Sequence, residues 1–288
     1  MKFALVDGYN LAFRAYYGLP ELTRADGFPT GALHGWVRTL WWVDDNVGAD
    51  RIVVFFDLGA PTRHTALQAD YKAQRKETPE ALVQQMPHIK TWTRGMGYLG
   101  VEKHGVEADD LIASYCKHLT GEGHEVVVVS ADKDLTQLVN PQVTQWMPPP
   151  TANPRLGWRQ MDEAAVEAKF GVSPKMIPDY LALIGDTSDN IPGLAGVGPK
   201  TAAKWLLQYR SVEGVIQNSG ELNPKRFQAL VHAEQDNLRR NLQMTTLDCT
   251  QAIEPLGEGH PEADKVIDLL TEMEMKRSAD EARRRFGK

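Results

Sequence analysis

Cysteine is nearly missing from this chain: Cys116 and Cys249 are the only two among 288 residues, which supports neither a disulfide framework nor a zinc ligand set. Long apolar runs are missing as well. Stretches such as IVVFF and VVVV fall far short of the ~20 residues a membrane-spanning helix needs. MKFALVDGYN lacks the apolar core and small-residue cleavage site of a secretory signal. A cytoplasmic protein without a membrane partner is expected. There is no excess of basic charge either, since the formal net charge is −6, unlike proteins that coat nucleic acid over most of their surface. Neither HExxH, paired CxxC nor the Walker pattern GxxxxGK[ST] occurs, and the eight histidines are scattered. Metalloprotease, zinc-finger and P-loop chemistry are thereby set aside.

What is present begins with three short apolar, β-branched segments, KFALV (2–6), RIVVFF (51–56) and EVVVVS (125–130), each bounded by polar or turn residues. Helical patterns lie between them, such as GALHGWVRTLWWVDD (31–45) and ADDLIASYCKHL (108–119). Alternation of this kind predicts an α/β fold, a mainly parallel sheet flanked by helices, with its ligand crevice outside the carboxyl ends of the strands.

Those strand ends carry acid. Asp7 follows FALV, Asp57 follows IVVFF, and Asp132 and Asp134 follow VVVVSA. One aspartate at a strand end is ordinarily a turn or helix cap, but here three strands do the same. VEADD adds Glu107, Asp109 and Asp110 at a helix start, where acid also suits the helix dipole. GDTSDNIPG adds Asp186 and Asp189, whose plainer reading is a capped turn. Brought into one crevice, these carboxylates would raise one another's pKa and oppose folding unless cations sat among them. Ligands that are all oxygen select hard ions, magnesium or manganese.

Beside the last acids, GVGPKTAAKWLLQY (196–209) reads as a tight turn entering an amphipathic helix. Gly196 and Gly198 are free to adopt positive φ, Thr201 sits near the helix start, and Lys200 could help backbone N–H groups face an anion. The alternative is a glycine-rich connector with a helix cap. Residues 196–210 carry Lys200, Lys204 and Arg210 and no acid, and residues 61–95 are net +3. In ADYKAQRKETPEALVQQM (69–86), Arg75 stands one helical turn from Tyr71 and Lys72; such a run is either a solvated charged helix or an aromatic and cationic face for a nucleotide. Proline-rich PQVTQWMPPPTANPRLGWR (141–159) reads as an irregular crossing, and the tryptophans of WVRTLWW as core.

LVDGYN, FFD, YKAQR, VEADD, SADKD and GDTSDNIPGLAGVGPKTA, in this order, give the chain a resemblance to the 5′-nuclease family, the 5′-3′ exonuclease domain of bacterial DNA polymerase I and stand-alone phage flap endonucleases. The similarity runs from residue 1 to about residue 250. It implies a PIN-like core over residues 1–182 with a helical arch near 61–95, and a helical DNA-binding region over 183–288 with a helix–three-turn–helix. It further implies that Asp7, Asp57, Glu107, Asp109, Asp110, Asp132, Asp134, Asp186 and Asp189 bind two divalent ions. Lys72 becomes the cation at the scissile phosphate, Arg75 its neighbour on the arch, Tyr71 a stacking platform, and Arg14 a contact on the 5′-strand path. GLAGVG, with Gly196 and Gly198, would bind a potassium ion bridging to the duplex, beside Lys200 and Thr201. APTRHTAL and YYGLP depart from the family pattern.

The expected activity is therefore two-metal hydrolysis of DNA phosphodiester bonds in replication or repair, with Asp132, Lys72 and Arg75 catalytic. Expected substrates are 5′-flap, branched or gapped duplexes and RNA-primed ends. No polymerase region follows residue 288, so the chain is either a stand-alone enzyme or an excised domain, the former being expected; a monomer with functional coupling to a separate DNA polymerase is anticipated. The alternatives are a non-cutting, structure-specific DNA-binding protein of the same fold and a magnesium phosphohydrolase acting on small molecules.

Overall fold

The computed structural model describes residues 1–74 and 77–288. The three apolar segments form β1 (Lys2–Asp7), β2 (Arg51–Leu58) and β4 (Glu125–Val129), joined by β3 (Leu99–His104), β5 (Val143–Met147) and β6 (Arg159–Met161) in one sheet of order β3-β2-β1-β4-β5-β6. All pairings are parallel except β5 with β6. Register places Asp7 opposite Phe55, so the acidic ends of adjacent strands lie level.

The central strands are covered on both faces, which explains why their sequences are continuously apolar. Ala4, Val6, Val54 and Val129 face a core with Leu33, Trp36 and Leu40 of α2 (Gly31–Val47) and Leu11 of α1 (Gly8–Gly18). Phe3, Leu5, Val53 and Val128 face the opposite core, built on Leu111, Ile112 and Tyr115 of α5 (Ala108–Gly121). Each fully buried Leu, Val or Phe contributes on the order of 2 kcal/mol. Between β2 and β3 run α3 (Thr62–Leu67) and α4 (Glu80–Gly95), and α4 turns Leu82, Ile89 and Trp92 into the first core.

A second cluster gathers α6 (Glu163–Phe170), α7 (Ile177–Ile184), α8 (Pro199–Tyr209), α9 (Val212–Gln217), α10 (Arg226–Ala233) and α11 (Gln235–Thr245) around Leu181, Trp205, Leu206, Phe227 and Leu238. Between α7 and α8 stands a short hairpin, β7 (Gly185–Asp186) with β8 (Ile191–Pro192), followed by a glycine-rich turn. The chain then returns: α12 (Ala263–Glu272) and α13 (Lys276–Arg285) pack Val266, Leu270, Met275 and Ala282 into the first core beside Trp92. Among the described residues, no helix is long and apolar enough to cross a membrane.

Two stretches differ from the sequence expectation. The proline-rich crossing contains β5 and the first residue of β6, because VTQWM alternates buried and half-buried side chains and its prolines flank the strand rather than interrupt it. Residues 69–74 form turns rather than a helix, and Lys72 lies at φ 57. The helical spacing that would ally Arg75 with Tyr71 and Lys72 is therefore not present at 71–74; Arg75 itself lies outside the described residues.

Hairpin closure depends on two glycines. Gly185 has φ 79, and a Cβ on Gly193 would lie 2.2 Å from the carbonyl carbon of Ile184. Backbone cannot yield as a flexible side chain can. Gly193→Ala should therefore cost about 2 kcal/mol or more in urea unfolding, whereas Gly220→Ala, where nothing lies within 4 Å, should cost little.

Candidate metal centre and nucleic-acid interface

Asp7 ends β1 and caps the next helix: its Oδ1 accepts from the Asn10 N–H at 3.1 Å and its Oδ2 accepts from Ser130 Oγ at 2.8 Å. From the neighbouring strand, Asp57 accepts from the Ala108 N–H at 2.7 Å, which ties β2 to the start of α5. Glu107 and Asp109 are thereby brought over the same strand ends. After β4, the Asp132 N–H donates to Ser130 Oγ at 3.0 Å, and Asp132 Oδ1 accepts from the Asp134 N–H at 2.9 Å. A cavity of about 750 Å³ is lined by Asp7, Asp57, Glu107, Asp109 and Asp132, together with Phe13, Arg14, Tyr17 and Lys72.

Asp134, Asp186 and Asp189 form the second group, with one carboxylate oxygen from each inside a 4.8 Å span. Asp186 Oδ1 accepts from the Ser188 N–H at 2.9 Å and its hydroxyl at 2.6 Å, while Lys133 Nζ approaches Asp186 at 2.5 Å and Asp134 at 3.8 Å. Asp110 stands apart. It is buried, accepts from the Asp248 N–H at 2.8 Å, lies 3.6 Å from Arg63, and does not line the acid cavity.

The segment after β2 lies across these acids. Lys72 Nζ bonds Glu107 and lies 4.0 Å from Asp189. Tyr71 donates to Asp189 Oδ2 at 3.0 Å, and His64 Nδ1 is 2.5 Å from Glu107. Tyr71 is buried, stacked on His64 with ring centroids 4.6 Å apart and the Lys72 ammonium over its ring. The stacking platform expected of Tyr71 is thus not offered to a base in this conformation, because the ring fills the seam between α3 and the hairpin.

Charge explains the arrangement. Burial raises Asp7 to about 7, countered by Ser130 and reinforced by Asp132. Burial and like-charged neighbours push Asp109 and Asp134 well above the carboxylate range, and burial also raises Asp132. Glu107 goes the other way. Burial would raise it, but the bond from His64 and the charge of Lys72 outweigh that and carry it down to about 2. Lys133 and Ser188 likewise hold Asp186 below its usual value against burial. The donor set suits hard divalent cations: it is all oxygen, and Asp134 Oδ1 is buried without a hydrogen bond.

At the expected DNA-facing positions, Gly196 has φ 76, but Gly198 is extended at φ −106 and serves as N-cap of α8, so positive φ is needed at only one of the two. Lys200 is exposed, Thr201 is half-buried in the first turn, and among the described residues no ion pair is present for Lys200, Lys204 or Arg210. Arg14 is half-buried, and its guanidinium donates to the Pro149 carbonyl.

A family model described as the 5′-3′ exonuclease N-terminal resolvase-like domain matches residues 2–171, and one for the 5′-3′ exonuclease C-terminal SAM fold matches residues 172–258. The chain belongs to the 5′-3′ exonuclease family. It is 37 % identical over 277 residues to a 5′-3′ exonuclease of Aquifex aeolicus, covering 94 % of this chain and 92 % of that protein. It is 35 % identical over 265 residues to the thermostable DNA polymerase I of Thermus thermophilus, covering 88 % of this chain but only 31 % of the polymerase. Among solved structures, bacteriophage T5 flap endonuclease in complex with DNA and metal ions shares the fold at TM-score 0.69 and 21 % identity, over 98 % of both chains. The catalytic core of Rad2 with DNA substrate does so at TM-score 0.63 and 15 % identity, over 98 % of this chain and 91 % of that one.

Sequence reasoning about this family member passed over Lys133, Ser130 and His64. Lys133 lies inside SADKD, between two of the acids, and could have been noticed as their counter-charge. His64 had no such signal, since its partners Glu107, Tyr71 and Met244 are all distant in sequence except the tyrosine.

The raised acids set a pH dependence. A carboxyl whose folded pKa exceeds its unfolded value costs stability as pH rises from the ordinary range toward the folded value, about 7 for Asp7. Divalent ions relieve that cost only after the protons have left. Magnesium at one fixed millimolar concentration should raise Tm more at about pH 8 than at about pH 5.5, as calorimetry in the two buffers will show; equal gains would contradict it.

Proposed function

We propose that this chain hydrolyses phosphodiester bonds in DNA bearing 5′ ends at flaps, branches or gaps, RNA-primed ends included, using two magnesium or manganese ions. One observation carries this reading: two adjoining groups of buried and half-buried carboxylates, Asp7, Asp57, Glu107, Asp109 and Asp132 on one side and Asp134, Asp186 and Asp189 on the other, converge where parallel strands end. The Aquifex exonuclease and the T5 complex with DNA and metal ions lend support by family and by fold.

In the proposed roles, both groups would hold the divalent ions, while Asp110 supports the site from behind by anchoring Asp248 and Arg63. Bound there, such ions supply charge neutralisation and Lewis acidity toward water and phosphate. The chain's own part is positioning and electrostatics. Lys72, now paired with Glu107, is placed to exchange that partner for the scissile phosphate; Arg75, three residues on, is assigned to the same phosphate. Water attacks phosphorus, the 3′-oxygen leaves, and the product keeps a 5′-phosphate. Phe13, Tyr17 and Arg14 line the mouth through which the 5′ strand would pass. Lys200, Thr201 and the 193–198 turn, with Gly196, Gly198 and a potassium ion, would grip the duplex backbone through α8. We assign Tyr71 to base contact only once the arch segment has moved. A monomer acting beside a separate DNA polymerase fits this division.

The non-cutting alternative would rest on Lys72 and Lys133 as permanent counter-charges. It is disfavoured because the carboxylates outnumber these cations and Asp109 and Asp134 stay well above the carboxylate range.

Magnesium-dependent cleavage of a labelled 5′-flap oligonucleotide tests the reading; tight binding without product would refute it. Asp132→Asn should leave Tm near that of the wild type yet lower the single-turnover rate by at least a hundredfold, since an anionic ligand becomes neutral. Lys200→Ala should instead weaken duplex binding and lower its salt slope by about one, with little change in single-turnover rate once substrate is saturating.

A further inference from the structure

The turn between β7 and β8 ends in Asn190, whose polar atoms bind mainly outside the turn. Its Nδ2 donates to the carbonyl and to Oδ2 of Asp70, at 3.0 Å each, and its Oδ1 accepts from Gln74 Nε2 at 2.9 Å. Its carbonyl accepts from Gln68 Nε2 at 2.7 Å. One residue earlier, the Asp189 carbonyl accepts from the Lys72 N–H at 3.3 Å. Only the Asn190 N–H stays within the turn, donating to Thr187. A residue that merely shaped the hairpin would keep its amide for the hairpin.

Both residues at the centre of this contact are left-handed, Asn190 at φ 59 and Lys72 at φ 57. Asparagine tolerates that conformation, whereas lysine adopts it rarely and at a cost. Such a residue persists when its surroundings over-determine it, and such residues gather at functional sites. Here Asn190 clamps the chain two residues before Lys72 and two residues after it. With φ so fixed, the Lys72 ammonium reaches Glu107 and overlooks Asp189.

We propose that Asn190 is a positioning residue for the nuclease reaction: through Asp70 and Gln74 it locks Lys72 in its left-handed conformation and so aims the ammonium at the acid centre. This inference rests on the reading that the centre cuts DNA with Lys72 at the phosphate. The lock itself also has a signature that does not depend on cleavage.

Asn190→Gly is the informative variant, because glycine keeps positive φ while losing all three side-chain bonds. With the wild type cutting a 5′-flap, the variant should lose roughly tenfold in single-turnover rate at saturating enzyme, with near-native Tm and flap affinity. In a Lys72→Ala background the same substitution should cost nothing further. Trypsin should also cut metal-free Asn190→Gly protein after Lys72 several-fold faster than wild type, since cleavage tracks the open population. Gln74→Ala, which removes one of the bonds, should show the same changes more weakly and serves if the glycine variant folds poorly. An unchanged rate overturns the proposal. So does full additivity with Lys72→Ala, or recovery in excess magnesium, which would mean the substitution acts through Asp189. If wild type cuts no flap, the nuclease reading fails, and the tryptic comparison alone then decides the lock: equal rates would refute it.

Discussion

Carboxylates that would repel one another in any arrangement are crowded here into one partly buried place, and the rest of the structure answers to that constraint. Level strand ends bring Asp7, Asp57 and Asp132 together, the start of α5 adds Glu107 and Asp109, and a hairpin closed by Gly185 and Gly193 adds Asp186 and Asp189. Burial raises Asp7, Asp109 and Asp132, and Asp134 beside them. The fold tolerates that cost because two large apolar cores flank the sheet and a third packs the helices behind the hairpin.

Some of the countering charge is supplied from within. Lys133 pairs Asp186, and Lys72 with His64 pairs Glu107, which is why these two acids are held low. These partners sit on different elements from the acids they serve: Lys133 belongs to the turn after β4, His64 to α3 and Lys72 to the turns that follow α3. Local chemistry at the centre is therefore coupled to how that segment lies on the hairpin, and the contact is made through tyrosine, amide and backbone rather than through apolar packing alone.

Much of this was legible in the sequence, for identifiable reasons. β1, β2 and β4 were recognisable because a strand buried on both faces must be apolar at every position, and α2, α5 and α8 because an amphipathic helix must repeat near 3.6 residues. The acids stood out because they ended those strands. β5 was missed where prolines obscured a short alternating strand. The turns at 69–74 were misread as helix because charge-rich, alanine-containing segments have good helix propensity, which contacts with Asp189 and Asn190 override. Asp110 was grouped with the other acids of VEADD through the family resemblance, yet in the fold its carboxylate faces Asp248 and Arg63.

By itself the sequence determined the parallel α/β sheet, the acidic strand ends and membership of the nuclease family, because periodicity and motif order are properties of the chain taken in one dimension. Only the tertiary structure decided which acids share a cavity, which cations lie on them and where the chain adopts left-handed backbone. Those outcomes depend on distances between residues as far apart as Lys72 and Asp189, or Lys133 and Asp186. Coulomb energy and desolvation depend on separation in space and on burial, and neither is written in the order of residues.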